Sequence, residues 1–101
     1  MKLLTDELRA RLPPLYSQEA EAEPVVYAKF FLGGFTWYVT EGSEQEGDFL
    51  FFGFVVGLES EFGYFLLSEL ETVRSPLGLA VERDLSFHEG KLTDVVPAPD
   101  S

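Results

Sequence analysis

Ten consecutive residues, Phe49-Leu50-Phe51-Phe52-Gly53-Phe54-Val55-Val56-Gly57-Leu58, limit the folds open to this chain more than any other stretch. A half-buried strand alternates apolar with polar residues. Here both alternating sets are apolar, so the stretch reads as a strand covered on both sides. One set, Leu50, Phe52, Phe54, Val56 and Leu58, is bulky throughout and is expected to face the core. The other, Phe51, Gly53, Val55 and Gly57, is looser, because its glycines admit close approach of another element. Any site on the sheet is expected on that looser side.

The flanking segments supply partners for this strand. Leu4, Leu8, Leu12 and Leu15 follow helical spacing, with Thr5 as N-cap and Asp6 and Glu7 in the first turn. Pro13-Pro14 ends that helix, since proline keeps the residue before it out of the helical region. Ser17 to Pro24 is a polar, acidic connector. Val25 to Leu32 and Phe35 to Thr40 are two strands joined by Gly33-Gly34, which reads as a tight hairpin. That turn places Leu32 opposite Phe35, Phe30 opposite Trp37 and Ala28 opposite Val39. On the other face it pairs Phe31 with Thr36, Lys29 with Tyr38, and Tyr27 with Thr40.

Glu41 to Asp48 reads as an acidic loop leading into the central strand. Phe62 to Leu67 returns as a further strand, with Gly63 marking a bulge. Ser68-Glu69-Leu70-Glu71 matches a capping box, with Ser68 as N-cap and a short helix running through Arg74. Val81, Arg83, Leu85 and Phe87 alternate with polar residues as a last strand at an edge. From Gly90 the chain turns polar and proline-rich, and residues 96–101 are expected to fray. Short connections make sequential strands antiparallel neighbours. The expectation is a single α+β domain over residues 1–101. It holds a mostly antiparallel sheet of about five strands, an N-terminal helix, and a short helix before the last strand.

The residues Ala28-Lys29-Phe30-Phe31, Thr36-Trp37-Tyr38, Phe51-Phe52-Gly53, Gly63-Tyr64-Phe65, Ser68-Glu69-Leu70-Glu71 and Glu82-Arg83-Asp84-Leu85 together resemble a family of small bacterial proteins. That family is catalogued as a domain of unknown function (DUF2958). The likeness runs from about Leu3 to Val95. It implies a setting on plasmids or other mobile elements, and hence a role in maintaining the element or evading host defence. It supplies no catalytic residues to carry over.

Composition narrows the chemistry. Eighteen carboxylates against seven Lys plus Arg give a net charge of −11, which repels nucleic-acid phosphates and anionic lipid and suits a basic protein surface or a cation. The same charge also keeps a chain with ten phenylalanines soluble. No apolar run is long enough to span a bilayer, and Asp6 and Glu7 interrupt any signal-peptide core, so a cytoplasmic setting is expected. Cysteine is absent, which removes disulfides, thiol nucleophiles and thiolate metal sites. Asn and Ile are also absent, as in a GC-rich genome, and loss of Asn fits a thermophile.

His88 is the one histidine and sits near an edge, where an exposed, non-functional side chain is the plainer reading than a member of a catalytic triad. An up-down sheet brings Glu19, Glu21 and Glu23 to the same end as Glu41, Glu44, Glu46 and Asp48. Such a cluster is read first as a solvated rim and next as a surface for a basic partner, including mimicry of DNA phosphates. It lacks the Asp/Asn spacing of a calcium loop. Tyr27, Lys29 and Tyr38 form a second candidate surface. Arg83, in register with apolar neighbours, is a candidate anion ligand.

The function expected is therefore a non-enzymatic protein-interaction domain without a cofactor. It is expected to bind a basic host protein or to form a homodimer, through Glu41, Glu44, Glu46 and Asp48 with Tyr27, Lys29 and Tyr38. The alternative is a small-ligand or metal-dependent hydrolase using the clustered carboxylates.

Overall fold

The computed structural model describes residues 1–97; the last four residues of the expected frayed tail lie outside them. The elements run α1 (Asp6–Arg11), β1 (Val25–Val26), β2 (Ala28–Leu32), β3 (Phe35–Gln45), β4 (Asp48–Val56), β5 (Ser60–Leu66), α2 (Leu67–Thr72), β6 (Glu82–Arg83), β7 (Gly90–Lys91) and α3 (Leu92–Val95). Five strands form an antiparallel sheet in the order β5-β4-β3-β2-β6, and β1 pairs separately with β7. The architecture is the α+β meander expected, with the last strand returning beside β2. None of the described helices is long and apolar enough to cross a membrane.

The β2–β3 hairpin has the register that its Gly-Gly turn dictates, from Leu32 opposite Phe35 to Ala28 opposite Val39. Gly33 takes φ +57°, a conformation open to glycine at little cost. The predicted pairing of Tyr27 with Thr40 does not form, because the β3–β4 ladder shifts between Val39 and Glu41. Thr40 is the extra residue, and its Oγ1 donates to the Phe52 carbonyl at 3.1 Å. The bulge therefore lies in β3. Gly63, expected to mark one, pairs regularly with Gly53.

Beyond the bulge, the acidic stretch expected as a loop continues as strand. Glu41, Gly42, Ser43 and Glu44 pair with Phe52, Phe51, Leu50 and Phe49, and a two-residue turn at Glu46-Gly47 closes the hairpin. Both turn residues have positive φ, at 50° and 82°, as a type I′ turn requires.

The core lies on the face opposite to the one expected. Phe49 and Phe51 are buried while Phe52 and Phe54 are half-buried and Leu58 is 98% exposed. Phe51 sits at the centre, its ring 5.6 Å from Phe30, 5.1 Å from Phe49 and 5.6 Å from Phe65. Leu4, Leu8 and Leu12 of the N-terminal stripe and Leu70 of α2 complete this cluster. The looser face of β4 is the core because helices supply the missing bulk. Gly42, across from Phe51, lies under the Phe49 ring and close to Leu12, and Phe35 covers Gly57. Bulk counted along a single strand omits this contribution.

Local details differ at both helices and at the C-terminal end. Thr5 caps α1 as expected, accepting from the Leu8 N–H at 3.1 Å. At α2 the capping residue is Leu66, two positions before Ser68, and Glu69 at the third helical position accepts from the Leu66 N–H at 2.8 Å. Asp48 holds Ser68 instead, which removes Ser68 from capping. The last strand of the main sheet is only Glu82–Arg83, because Asp84 turns the chain by accepting from the Ser86 N–H. Gly90 to Val95, polar in sequence, forms structure: β7 pairs with β1 and α3 follows it.

Gly53 is where the bulge demands most of its neighbour. A Cβ there would lie 2.0 Å from the Tyr38 carbonyl oxygen, whereas a Cβ at Gly63 would meet nothing within 4 Å. Gly53→Ala is expected to lower stability by about 2–3 kcal/mol, because backbone has to move. Gly63→Ala is expected to be neutral or slightly stabilising. Denaturant melts of the two variants check this.

Candidate functional site

Before β2 begins at Ala28, opposite Val39, the edge of β3 from Thr40 onward pairs with no other strand among the described residues. Residues 13–24 run along that edge as a strap. Pro13 accepts from the Gly42 N–H at 3.0 Å, and Leu15 donates to Ser43 Oγ at 3.0 Å. Glu41 makes the firmest tie: its two carboxylate oxygens accept from the Tyr16 and Gln18 N–H groups, each at 2.8 Å. The Gln18 side chain then donates to the Thr40 and Val25 carbonyls and accepts from the Val25 N–H. Tyr16 is held at φ 73°, uncommon for a side chain of that size. The cause is the pair of N–H groups at residues 16 and 18, which must converge on one carboxylate.

The strap forms one wall of a cleft of about 340 Å³ on the sheet face away from the helices. Phe52 makes the floor and Phe62 and Tyr64 of β5 make the opposite wall. The rings pack against one another: Phe52 to Tyr64 4.8 Å, Phe52 to Phe62 5.8 Å, Phe54 to Phe62 5.1 Å and Tyr16 to Tyr64 6.4 Å. Much of this surface is in contact with solvent, with Tyr16 61%, Tyr64 52% and Phe62 48% exposed. Glu19 and Glu21 stand at the rim. The Tyr64 hydroxyl titrates above the ordinary phenol value, first through lost hydration, then through the neighbouring Tyr16 and the charges of Glu19 and Glu41. The carboxylates of Glu19 and Glu21 give the cleft a negative rim.

The expected cluster of carboxylates divides: Glu19, Glu21 and Glu41 line the cleft, whereas Glu23, Glu44, Glu46 and Asp48 do not. Glu41 is 3% exposed and consumed by the strap, so it is not open to a partner. Glu44 pairs with Arg9 at 2.9 Å, and Glu23 accepts from Thr93 Oγ1 at 2.6 Å. Asp48 accepts from the Ser68 hydroxyl and from the Phe49 and Ser68 N–H groups. Glu46 occupies the β3–β4 turn and faces solvent. Among the described residues no three His, Cys, Asp or Glu side chains converge as a metal site.

The second expected surface divides. Lys29 and Tyr38 share the cleft-side face, the Lys29 Nζ 5.8 Å from the Tyr38 ring and 3.8 Å from Asp84 Oδ2. Tyr38 itself is 3% exposed, and its hydroxyl is pushed up by burial and then by Asp84. Tyr27 instead packs against the helix-side core, because the break between β1 and β2 removes it from the alternation. Arg83 pairs with Phe30 and leaves its Nε buried without a partner. Glu7 and Asp84 share its hollow with Arg11, so the charges offset and favour no anion. His88 is exposed.

The aromatic cleft was hidden from sequence reasoning by the inverted strand face. The signal available was the pair Phe62 and Tyr64, which alternate with Gly63 and so share one side.

Glu41→Gln should cost about 2 kcal/mol, since a buried acceptor of two N–H groups becomes half donor. Amide exchange at Tyr16 and Gln18 should accelerate more than the global loss alone explains. Asp48 is held below the usual carboxylate range, chiefly by the Ser68 hydroxyl and then by the Phe49 N–H. A depressed folded-state value means that its stabilisation is present above the unfolded value and lost as pH falls through the folded one. The melting temperature of wild type should therefore exceed that of Asp48→Asn at neutral pH, and the gap should close on acidification below about pH 4.

No curated protein and no solved structure matches this chain. Residues 3–96 match the family described as "Protein of unknown function (DUF2958)", and the chain belongs to that family.

Proposed function

We propose that this protein is a non-enzymatic interaction domain whose aromatic cleft binds a basic segment of another protein. One observation carries the reading. The exposed rings of Tyr16, Phe62 and Tyr64 are bordered by Glu19 and Glu21, and the stretch from Phe30 through Val73 contains no Lys or Arg of its own. A solvent-facing aromatic cluster of this kind is uncommon unless something covers it.

Magnitudes divide the labour between rings and charges. An exposed ion pair contributes roughly 0.2–1 kcal/mol. A cation over an aromatic face contributes about 0.5–1 kcal/mol, rising to about 2 when the pair is desolvated. Buried aromatic anchors at an interface contribute about 2 kcal/mol or more each. The rings therefore set affinity, while Glu19, Glu21 and the overall charge set association rate and salt dependence.

The test is fluorescence anisotropy with a labelled lysine-rich peptide. Phe62→Ser combined with Tyr64→Ser should weaken binding at least about tenfold. Glu19→Gln combined with Glu21→Gln should mainly slow association and flatten the salt dependence. Loss of neither property, in variants that remain folded by circular dichroism, would refute the cleft as the binding surface.

A further inference from the structure

We infer that the partner segment binds as an added strand along β5, extending the sheet, and that its sequence alternates apolar with basic residues. This rests on the binding surface proposed above and specifies how a partner uses it.

Among the described residues, strand β5 is the outer strand on its side of the sheet, paired only with β4 over all seven of its residues. One hydrogen bond shows which of its backbone groups face outward. Leu66 donates its N–H to the Glu69 carboxylate, away from β4. Backbone groups alternate sides along a strand, so Phe65, Gly63 and Glu61 bond to β4 while Tyr64, Phe62 and Ser60 present their N–H and C=O groups outward. Glu69 blocks the edge at Leu66. No described residue bonds to the outward groups of Phe62 and Tyr64.

Natural sheets protect such an edge with lysine, proline or a bulge. Strand β5 has no lysine and no proline, its ladder with β4 is regular, and its single charged side chain is Glu61.

The side chains define what would lie beside it. Residues with outward backbone groups, Phe62 and Tyr64, carry their rings on the cleft face. Glu61 and Gly63 lie on the other face, where a Cβ at Gly63 would meet only open space. A neighbouring strand thus places every second side chain beside aromatic rings and the intervening ones beside Glu61. Glu59 and Glu61 at one end, Glu69 and Glu71 at the other, are all exposed. An apolar–basic alternation satisfies both faces. A second copy of this chain would bring its own β5 carboxylates against these, so charge favours a different, basic occupant.

The probe is a fluorescein-labelled peptide alternating valine and lysine, measured by anisotropy on the full chain. Two further versions carry N-methyl groups on one or the other alternate set of backbone amides. One methylated set removes the donors that face β5 and should weaken binding at least about tenfold, while the other set faces solvent and should leave affinity unchanged. Equal affinity for all three peptides would overturn strand addition while leaving the cleft as a side-chain binding surface. Failure of every lysine-rich peptide to bind would overturn the proposed function itself. A dimer in sedimentation equilibrium that the peptide does not dissociate would overturn the inference by assigning the edge to a second copy.

Discussion

The single extra residue at Thr40 decides how the two faces of this sheet are used. Before it, Val39 and Trp37 face the helices. After it, Gly42 does, and Glu41 is turned to the other side. Had β3 continued without the bulge, Glu41 would face the helices among the phenylalanines, at the cost of desolvating its carboxylate. The bulge in turn requires Gly53, whose missing side chain leaves room for the Tyr38 carbonyl. Thr40 helps seal the distortion through its bond to Phe52. Bulges bend and twist a sheet locally, and here the distortion lies where the strap crosses the edge of β3.

The strap depends on that placement. A segment of connecting chain carries few apolar residues, so its position has to be fixed by polar bonds. Glu41, buried and bonded to two N–H groups, provides a charge-assisted anchor of the stronger kind. Gln18 satisfies the carbonyls on either side. The cleft wall is therefore tied to the sheet at several points, and Tyr16 lies beside Tyr64 although it is mostly exposed.

What the sequence reveals follows the range of the interaction involved. The β2–β3 register is legible because a Gly-Gly turn and local alternation determine it. The Thr5 cap and the leucine stripe of α1 are legible for the same reason. The facing of Phe51 against Phe52 depends on which side the leucines at residues 4, 8 and 12 approach, and nothing within β4 encodes that. The acidic stretch at 41–48 reads as a loop by composition, yet pairing with four apolar partners across β4 outweighs its weak strand propensity. Glu41 illustrates the limit for site residues. As one of many acids it looks like surface charge, and its role emerges only when residues 16 and 18 are brought to it. The cleft is harder still to foresee, because its walls come from segments far apart in the chain, the strap at residues 13–24 and β5 at Ser60–Leu66.

The distribution of cations leaves a mark on the chain's chemistry away from any partner. Positive charge is confined to the two ends of the sequence, with Lys29 and Arg74 bounding a stretch that contains neither Lys nor Arg. That stretch holds all of β3, β4 and β5 together with α2. A protease that cuts after basic residues finds no site within it, folded or unfolded. Such an enzyme would trim the N-terminal helix, the strap and the C-terminal segment while leaving the three long strands joined as one piece. The same sparing of basic residues makes the centre of the sheet covalently durable.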